Sequence, residues 1–380
     1  MTSFIKQHRF IFLLAGILMT TSSFSIPQQT KAETKDWGKV ENKRVQLVTL
    51  TNANGIVLKV TNFAGSIVDV KTPDKNGIFE SVVLGFDRFE DYLGRHPNFG
   101  STIGRYAGRI SDARIRLDNK EYQLQANRGT NCIHGGKDGM GHKTFTTDTV
   151  YVKNDTAITR FSYMSPAGEG GFPGNLKVSL TYMLTPEDEI VLQYEAITDQ
   201  PTVVNFTNHA YFNLSGGKES VLHDMVKVKA DNILTLDNDG KATGTFTPVK
   251  KTPFDFSKKM QLQKQMKRLP KDLDRTYQLK KNKDRLTLAA ILSNPTTGRI
   301  LEAYTTEPAM QLFVSGRDLS EFTGHGGIKY GKFYGICLEM QHYPDSPHLP
   351  QLPSTVLRPG GKYTQTTIYK FKTKGQKKFN

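Results

Sequence analysis

Hydrophobic and polar positions alternate in short runs along this chain, a pattern typical of β-strands. Residues 45–50 and 56–60 are two such runs, and they flank Asn54-Gly55. A short Asn-Gly turn between alternating runs predicts a tight hairpin. The same pattern predicts three further strand pairs: residues 113–117 with 122–124, 177–184 with 190–196, and 286–292 with 301–305.

Helical periodicity is scarce, and the best candidate is the short segment 261–268. Clusters of Gly, Pro, Asn and Asp separate the predicted strands throughout the chain. Many short strands between frequent turns predict an antiparallel all-β sandwich or barrel. No low-complexity tract or fixed-period repeat interrupts the pattern. The sequence therefore predicts one domain over residues 41–380, preceded by a polar, flexible leader over residues 26–40.

The N-terminus has the layout of a secretory signal peptide. Lys6 and Arg9 supply positive charge, residues 10–19 form an apolar run of ten, and small polar residues follow at 20–25. Ten apolar residues are too few to span a bilayer. We therefore expect residues 1–25 to be a signal peptide, cleaved after Ser25 or Ala32, and the protein to be periplasmic or secreted. An uncleaved membrane anchor is the alternative; after cleavage no membrane association is expected.

Charge and cysteine content narrow the function classes. The formal net charge is +15, but the lysines are dispersed and no aromatic-interleaved RNA motif or basic recognition helix is present. We interpret the charge as a solvated basic face and expect no nucleic-acid partner. Cys132 and Cys337 are too few for a disulfide framework, so an apolar core must hold the fold. The sequence leaves open whether these two residues pair.

Four segments carry residue types suited to catalysis. His134 and His209 each lie among small and amide residues, in segments that do not resemble ordinary strands. Glu339 ends an apolar run, and a carboxylate after buried residues is either paired or raised in pKa. Arg105 and Arg109 lie four apart among small residues, so the backbone there can approach a ligand closely. Each feature alone is more often structural than catalytic.

Taken together and in order, these segments resemble the aldose 1-epimerase (galactose mutarotase) family over nearly all of the predicted domain. Nine blocks carry the resemblance: VLGF (83–86), GRYAGRI (104–110), HGG (134–136), TNHAYFNL (207–214), TPFDF (252–256), LDRTY (273–277), TEPAMQ (306–311), CLEMQ with the following PD (337–345) and LRPGGKY (357–363).

The resemblance implies a β-supersandwich and an enzyme that interconverts the α and β anomers of free hexoses such as galactose and glucose. It places Glu339 at the general base and His209 at the general acid. Four further residues match sugar-contacting positions: Arg109, His134, Asp274 and Gln311. The expected partner is a small sugar, with no cofactor and no metal. The sequence leaves monomer and homodimer open.

The chemistry explains these residue types. Opening a pyranose ring requires removal of the C1 hydroxyl proton and protonation of the ring oxygen, which suit a carboxylate and an imidazole. We expect Glu339 to start ionised and His209 protonated, because their mutual proximity favours both charged forms.

The chain departs from the family at three places. Gly108 stands where asparagine is frequent, residues 140–145 replace an aromatic-rich run, and residues 346–349 differ after the PD pair. These departures bear on substrate preference and leave Glu339 and His209 in place.

Three alternatives remain open. The same scaffold could be a sugar-binding module without catalysis. Arg105 could serve an epimerase for phosphorylated or larger sugars. His134, His209 and Glu339 could hold a metal, although close ligand pairs such as His-x-x-x-His are missing from the sequence.

Overall fold

Strands dominate the computed structural model, which describes residues 29–269, 272–280 and 285–375. The strands, numbered in chain order, are β1 (Lys31–Val40), β2 (Lys43–Thr51), β3 (Val57–Thr61), β4 (Ser66–Pro73), β5 (Phe79–Ser81), β6 (Thr102–Ile103), β7 (Arg109–Ile110), β8 (Arg114–Leu117), β9 (Lys120–Gln123), β10 (Cys132–Ile133), β11 (Thr146–Lys153), β12 (Thr156–Ser165), β13 (Leu176–Leu184), β14 (Glu189–Thr198), β15 (Thr202–Val203), β16 (Thr207–Asn208), β17 (Tyr211–Phe212), β18 (Met225–Val228), β19 (Ala230–Leu236), β20 (Ala242–Pro248), β21 (Met260–Gln261), β22 (Leu273–Leu279), β23 (Thr287–Ser293), β24 (Arg299–Thr305), β25 (Ala309–Val314), β26 (Ile336–Gln341), β27 (Val356–Leu357) and β28 (Tyr363–Thr373).

Helices are short. The two α-helices are α1 (Glu90–Leu93) and α2 (Leu262–Met266), and the single-turn 3₁₀ helices are Ser111–Ala113, Met140–His142, Glu169–Gly171, Val221–His223, His325–Gly327 and Ser346–His348. Helix α2 confirms the predicted helical segment, although it is shorter than 261–268. In the described ranges no helix has the length and apolar character needed to cross a membrane.

The described residues form three large sheets and four two-stranded ones. A five-stranded sheet has the order β1-β2-β3-β4-β5, a nine-stranded sheet β11-β12-β13-β14-β28-β24-β23-β18-β21, and a six-stranded sheet β17-β26-β25-β22-β19-β20. The predicted pairs are present and antiparallel: β2 with β3, β8 with β9, β13 with β14, and β23 with β24. The antiparallel all-β prediction is confirmed.

The predicted flexible leader is wrong over the described part of residues 26–40. Lys31–Val40 forms β1, which pairs with β2 from Lys31 opposite Thr51 to Val40 opposite Lys43. Its side chains are mostly exposed, so the composition resembles a loose segment even though the backbone ladder is formed. Trp37 anchors the strand, with its ring 5.7 Å from that of Phe89. Residues 26–28 and the predicted signal peptide lie outside the described residues.

The largest apolar cluster draws side chains from all three sheets. Leu58 of β3, Leu192 of β14 and Leu338 of β26 are all fully buried in it. Removing a leucine-sized side chain from water stabilises the fold by about 1.5–3 kcal/mol. This shared core fixes the sheets relative to one another. Cys132 and Cys337 are both buried and free, so no disulfide between them contributes.

Strand β26 lies between β17 and β25, and all six of its residues are buried. Side chains alternate between the two faces of a strand. Ile336, Leu338 and Met340 belong to the apolar cluster. Glu339 and Gln341 therefore point to the opposite face. The sequence places Glu339 at the end of an apolar run; the structure places it inside the strand, where the backbone ladder fixes its position.

Candidate active site

His209 and Glu339 face each other across a buried gap. Nε2 of His209 lies 3.7 Å from Oε1 of Glu339, and the two side chains are 7% and 3% exposed. The distance is longer than a hydrogen bond. The histidine follows β16, and its backbone N–H donates to Ser101 O at 2.9 Å. Two separate elements, β16 and β26, thus hold the pair.

The second ring nitrogen of His209 contacts a thiol. Sγ of Cys337 lies 3.5 Å from Nδ1, and the Tyr211 ring stacks on the imidazole at 5.1 Å. Burial raises the pKa of the Cys337 thiol well above its usual range, so the sulfur keeps its proton. The thiol can donate to Nδ1, which leaves the ring proton on Nε2, facing Glu339.

His134 completes one wall of the site. Its Nδ1 accepts a hydrogen bond from Gly108 N–H at 3.2 Å, so the ring proton lies on Nε2. Its ring stands edge-on to that of His209, with centroids 5.5 Å apart. Burial lowers the pKa of His134 to about 4, so it is a neutral donor. The following Gly135 must lack a side chain, because a Cβ would lie 2.1 Å from Gly104 O.

Gln311 comes from β25, the strand next to β26, and Asp274 comes from β22 on the far side of β25. Gln311 lies opposite Glu339 in the β25–β26 register, and Thr276 lies opposite Gln311 in the β22–β25 register. Gln311 Nε2 donates to Asp274 Oδ1, and Thr276 Oγ1 donates to Gln311 Oε1. The amide is thereby oriented, and the Asp274 carboxylate is near enough to act electrostatically on Glu339.

The two arginines of the GRYAGRI block have different environments. Half-buried Arg109 lies on β7, where its backbone pairs with Ile133, the residue before His134. Arg105 is buried, and its guanidinium donates to Ser165 Oγ and to the backbone oxygens of Ser165, Pro166 and Pro173. Its donors are used inside the fold. Arg105 therefore does not provide the cationic contact that a phosphorylated sugar would need.

The charge state differs from the sequence expectation. Burial raises the pKa of Glu339 well above its usual range, and the like charge of Asp274 adds to this. Burial, with a contribution from His134, lowers the pKa of His209 to about 3. Desolvation therefore outweighs the mutual attraction of the pair. Both groups therefore favour their neutral forms, a protonated carboxyl group at Glu339 and a neutral imidazole at His209.

The donor set is also suited to a metal. The side-chain donor atoms of His134, His209 and Glu339 lie within 4.8 Å of one another. Imidazole and carboxylate groups are zinc ligands.

Sequence reasoning missed the Cys337–His209 contact and gave no role to the Asp345 of the PD pair. Asp345 accepts hydrogen bonds from Ser111 N–H and from His348 Nδ1. Burial works to raise its pKa, but these hydrogen bonds outweigh burial and the pKa is lowered. Asp345 thus fixes the loop after β26.

Comparison with known proteins points in one direction. A sequence model of the family described as Aldose 1-epimerase matches residues 46–370. The galactose mutarotase of Rattus norvegicus is 38% identical over 314 residues, 82% of this chain and 90% of the relative. The aldose 1-epimerase of Escherichia coli K12 is 32% identical over 333 residues, 86% and 95% of the two chains. The crystal structure of galactose 1-epimerase from Lactobacillus acidophilus superimposes with a TM-score of 0.78 at 29% identity, covering 91% and 99%.

Proposed function

The chain belongs to the aldose 1-epimerase family, and on this premise we propose that its Glu339–His209 pair interconverts the α and β anomers of free hexoses such as galactose and glucose. The observation that carries the proposal is the buried carboxylate 3.7 Å from a buried imidazole. Oε2 of Glu339 has no hydrogen-bond partner among the described residues, so this oxygen can form a hydrogen bond with a ligand.

The reaction removes one proton from the sugar and adds one proton to it. Glu339 takes the proton of the C1 hydroxyl while His209 Nε2–H donates a proton to the ring oxygen. The bond between C1 and the ring oxygen breaks, and the open aldehyde rotates about C1–C2. Reclosure on the other face of the carbonyl returns both protons. Each positioned proton transfer typically contributes about 10²–10⁴-fold in rate.

Substrate binding sets the charge state that the reaction needs. Before the sugar binds, the carboxyl proton resides on Glu339, whose pKa burial raises. A sugar hydroxyl that donates to the carboxyl group favours its ionised form. Glu339 then releases its proton and His209 takes one up at Nδ1, because Nε2 already carries a proton, and Cys337 Sγ changes from donor to acceptor. The pair thus becomes an ionised base and a protonated acid only when the substrate is present.

The remaining site residues suit recognition. Neutral His134 directs Nε2–H into the site and donates to a sugar oxygen. Arg109, whose strand pairs with the residue before His134, donates further hydrogen bonds. Asp274 accepts from sugar hydroxyls. Gln311 orients Asp274 through its Nε2 hydrogen bond. These residues hold the ring so that C1 lies against Glu339.

The pH dependence of kcat/KM follows from the charge state of the pair, because this ratio reports the free enzyme. On the acid side, the rate falls when His209 gains a second proton, which is expected near its pKa of about 3. On the alkaline side, it falls when Glu339 loses its proton, well above the usual range of a carboxyl group. The profile is measured from initial rates of change of optical rotation at pH values that cover both limbs, after the buffer-catalysed rate is subtracted. An acid limb near pH 6–7, the usual range of histidine, would contradict this assignment.

We also propose that the protein is exported. Lys6, Arg9 and the apolar run 10–19 support this, and cleavage after Ser25 leaves strand β1 complete, whereas cleavage after Ala32 would remove its first two residues. Cell fractionation with N-terminal sequencing should find an exported chain that begins at Ile26. A cytosolic chain that retains Met1 would refute the proposal.

A further inference from the structure

Gln341 has the properties of a ligand-binding residue, although the reaction described above does not use it. The residue is 1% exposed. Neither Oε1 nor Nε2 of its side chain has a hydrogen-bond partner within the described part of the chain. Buried polar side chains are nearly always hydrogen-bonded, so an amide with both ends open needs an explanation.

The amide lies on the catalytic face of β26. Gln341 follows Glu339 by two residues, so the two side chains point to the same face, roughly 7 Å apart along the strand. Glu339 Oε2 on this face likewise has no partner among the described residues. Two open polar groups side by side are suited to a polyhydroxylated ligand that contacts both.

Gln341 also lies close to Gly108, the residue that positions His134. A Cβ added to Gly108 would lie 3.3 Å from Gln341 Nε2 and 3.3 Å from Pro344 Cγ. The backbone N–H of the same Gly108 orients His134. The amide therefore lies between the general base and a sugar-contacting histidine. Gly108, at a φ of +77°, has no side chain to fill the space next to the amide.

We propose that Gln341 is a substrate-contacting residue that binds one hydroxyl of the hexose other than the reacting C1 hydroxyl. A hydroxyl both donates and accepts, so it can satisfy Oε1 and Nε2 together or with a neighbouring hydroxyl. The inference rests on the proposed function, because it places the sugar ring against Glu339. It adds a recognition contact that selects for one ring position.

The test compares wild type with Gln341→Leu on galactose and on its 2-, 3-, 4- and 6-deoxy analogues. In the wild type, kcat/KM is expected to fall about tenfold or more for the analogue that lacks the contacted hydroxyl. Gln341→Leu should lower kcat/KM about tenfold on galactose. Its kcat/KM should not fall further on the analogue that lacks the contacted hydroxyl. For the other analogues, the fall in kcat/KM relative to galactose should be the same in the variant as in the wild type.

A matched control is Gln365→Leu. Gln365 is also buried, but its Nε2 donates to Met340 O, so its amide is used within the fold. This variant should melt at a lower temperature and keep the wild-type pattern across the analogues. Should Gln341→Leu fail to fold, Gln341→Met provides a second route. Methionine keeps the length of the side chain without its amide, and it should produce the same position-specific loss.

The outcomes are distinct. If the wild type is active and Gln341→Leu lowers kcat/KM by the same factor on galactose and on every analogue, the amide is structural and the inference is wrong. Full activity of Gln341→Leu on galactose would refute it as well. If wild type accelerates mutarotation of no free hexose, the proposed function fails and the inference fails with it.

Discussion

Glu339→Gln is expected to lower kcat for galactose mutarotation by about 10²–10⁴-fold, with a much smaller change in KM. The amide has the shape of the neutral carboxyl group and can still accept from the C1 hydroxyl, but it cannot take the proton. Because burial favours the neutral form of Glu339, the variant should fold normally and keep its Tm. Initial rates of optical rotation, together with a thermal melt, measure both quantities.

The control for this substitution is Asp224→Asn. Asp224 is another buried carboxyl group, burial raises its pKa to about 7, and it accepts a hydrogen bond from Asn294 outside the site. Its replacement should leave kcat near the wild-type value. If Glu339→Gln retained more than about a tenth of the wild-type kcat, Glu339 would not be the general base.

His209→Asn is expected to produce a loss of similar size, about 10²–10⁴-fold in kcat, because Nε2 of His209 is the imidazole nitrogen that faces Glu339. Asparagine preserves a polar side chain next to Cys337 but removes the titrating nitrogen that faces Glu339. The double variant Glu339→Gln/His209→Asn should be little worse than either single variant, since the pair acts as one unit.

His134→Asn separates proton transfer from binding. Its ring lies beside that of His209, but its Nδ1 accepts from Gly108 and its Nε2 serves as a donor to the sugar. Its replacement should therefore raise KM more than it lowers kcat. A larger kcat loss for His134→Asn than for His209→Asn would mean that the two histidines have exchanged roles.

Local sequence signals predicted the elements that depend on local chemistry. Asn54-Gly55 located one hairpin, and period-two alternation located β13 and β14. The leader prediction was wrong because β1 is a mostly exposed strand held by backbone pairing to β2, and composition does not record such pairing. The motif order supplied the candidate residues of the site, yet their mutual distances depend on contacts between strands far apart in sequence.

Charge states and side-chain partners were the least predictable. The sequence indicated that Glu339 and His209 would stabilise each other's charges, whereas the fold buries both so deeply that desolvation dominates. Arg105 and Arg109 look equivalent in the sequence, and only the packing shows that Arg105 donates inward. The open amide of Gln341 is likewise a property of the folded neighbourhood.

The most direct measurement of the central claim is the optical rotation of freshly dissolved α-D-galactose, followed with and without wild-type protein in a low-catalysis buffer that contains a chelator. The account predicts that relaxation accelerates in proportion to enzyme concentration, reaches the same final rotation as the enzyme-free sample, and is insensitive to the chelator. A relaxation rate equal to that of buffer, or an activity that the chelator removes and zinc restores, would contradict metal-free proton transfer by Glu339 and His209.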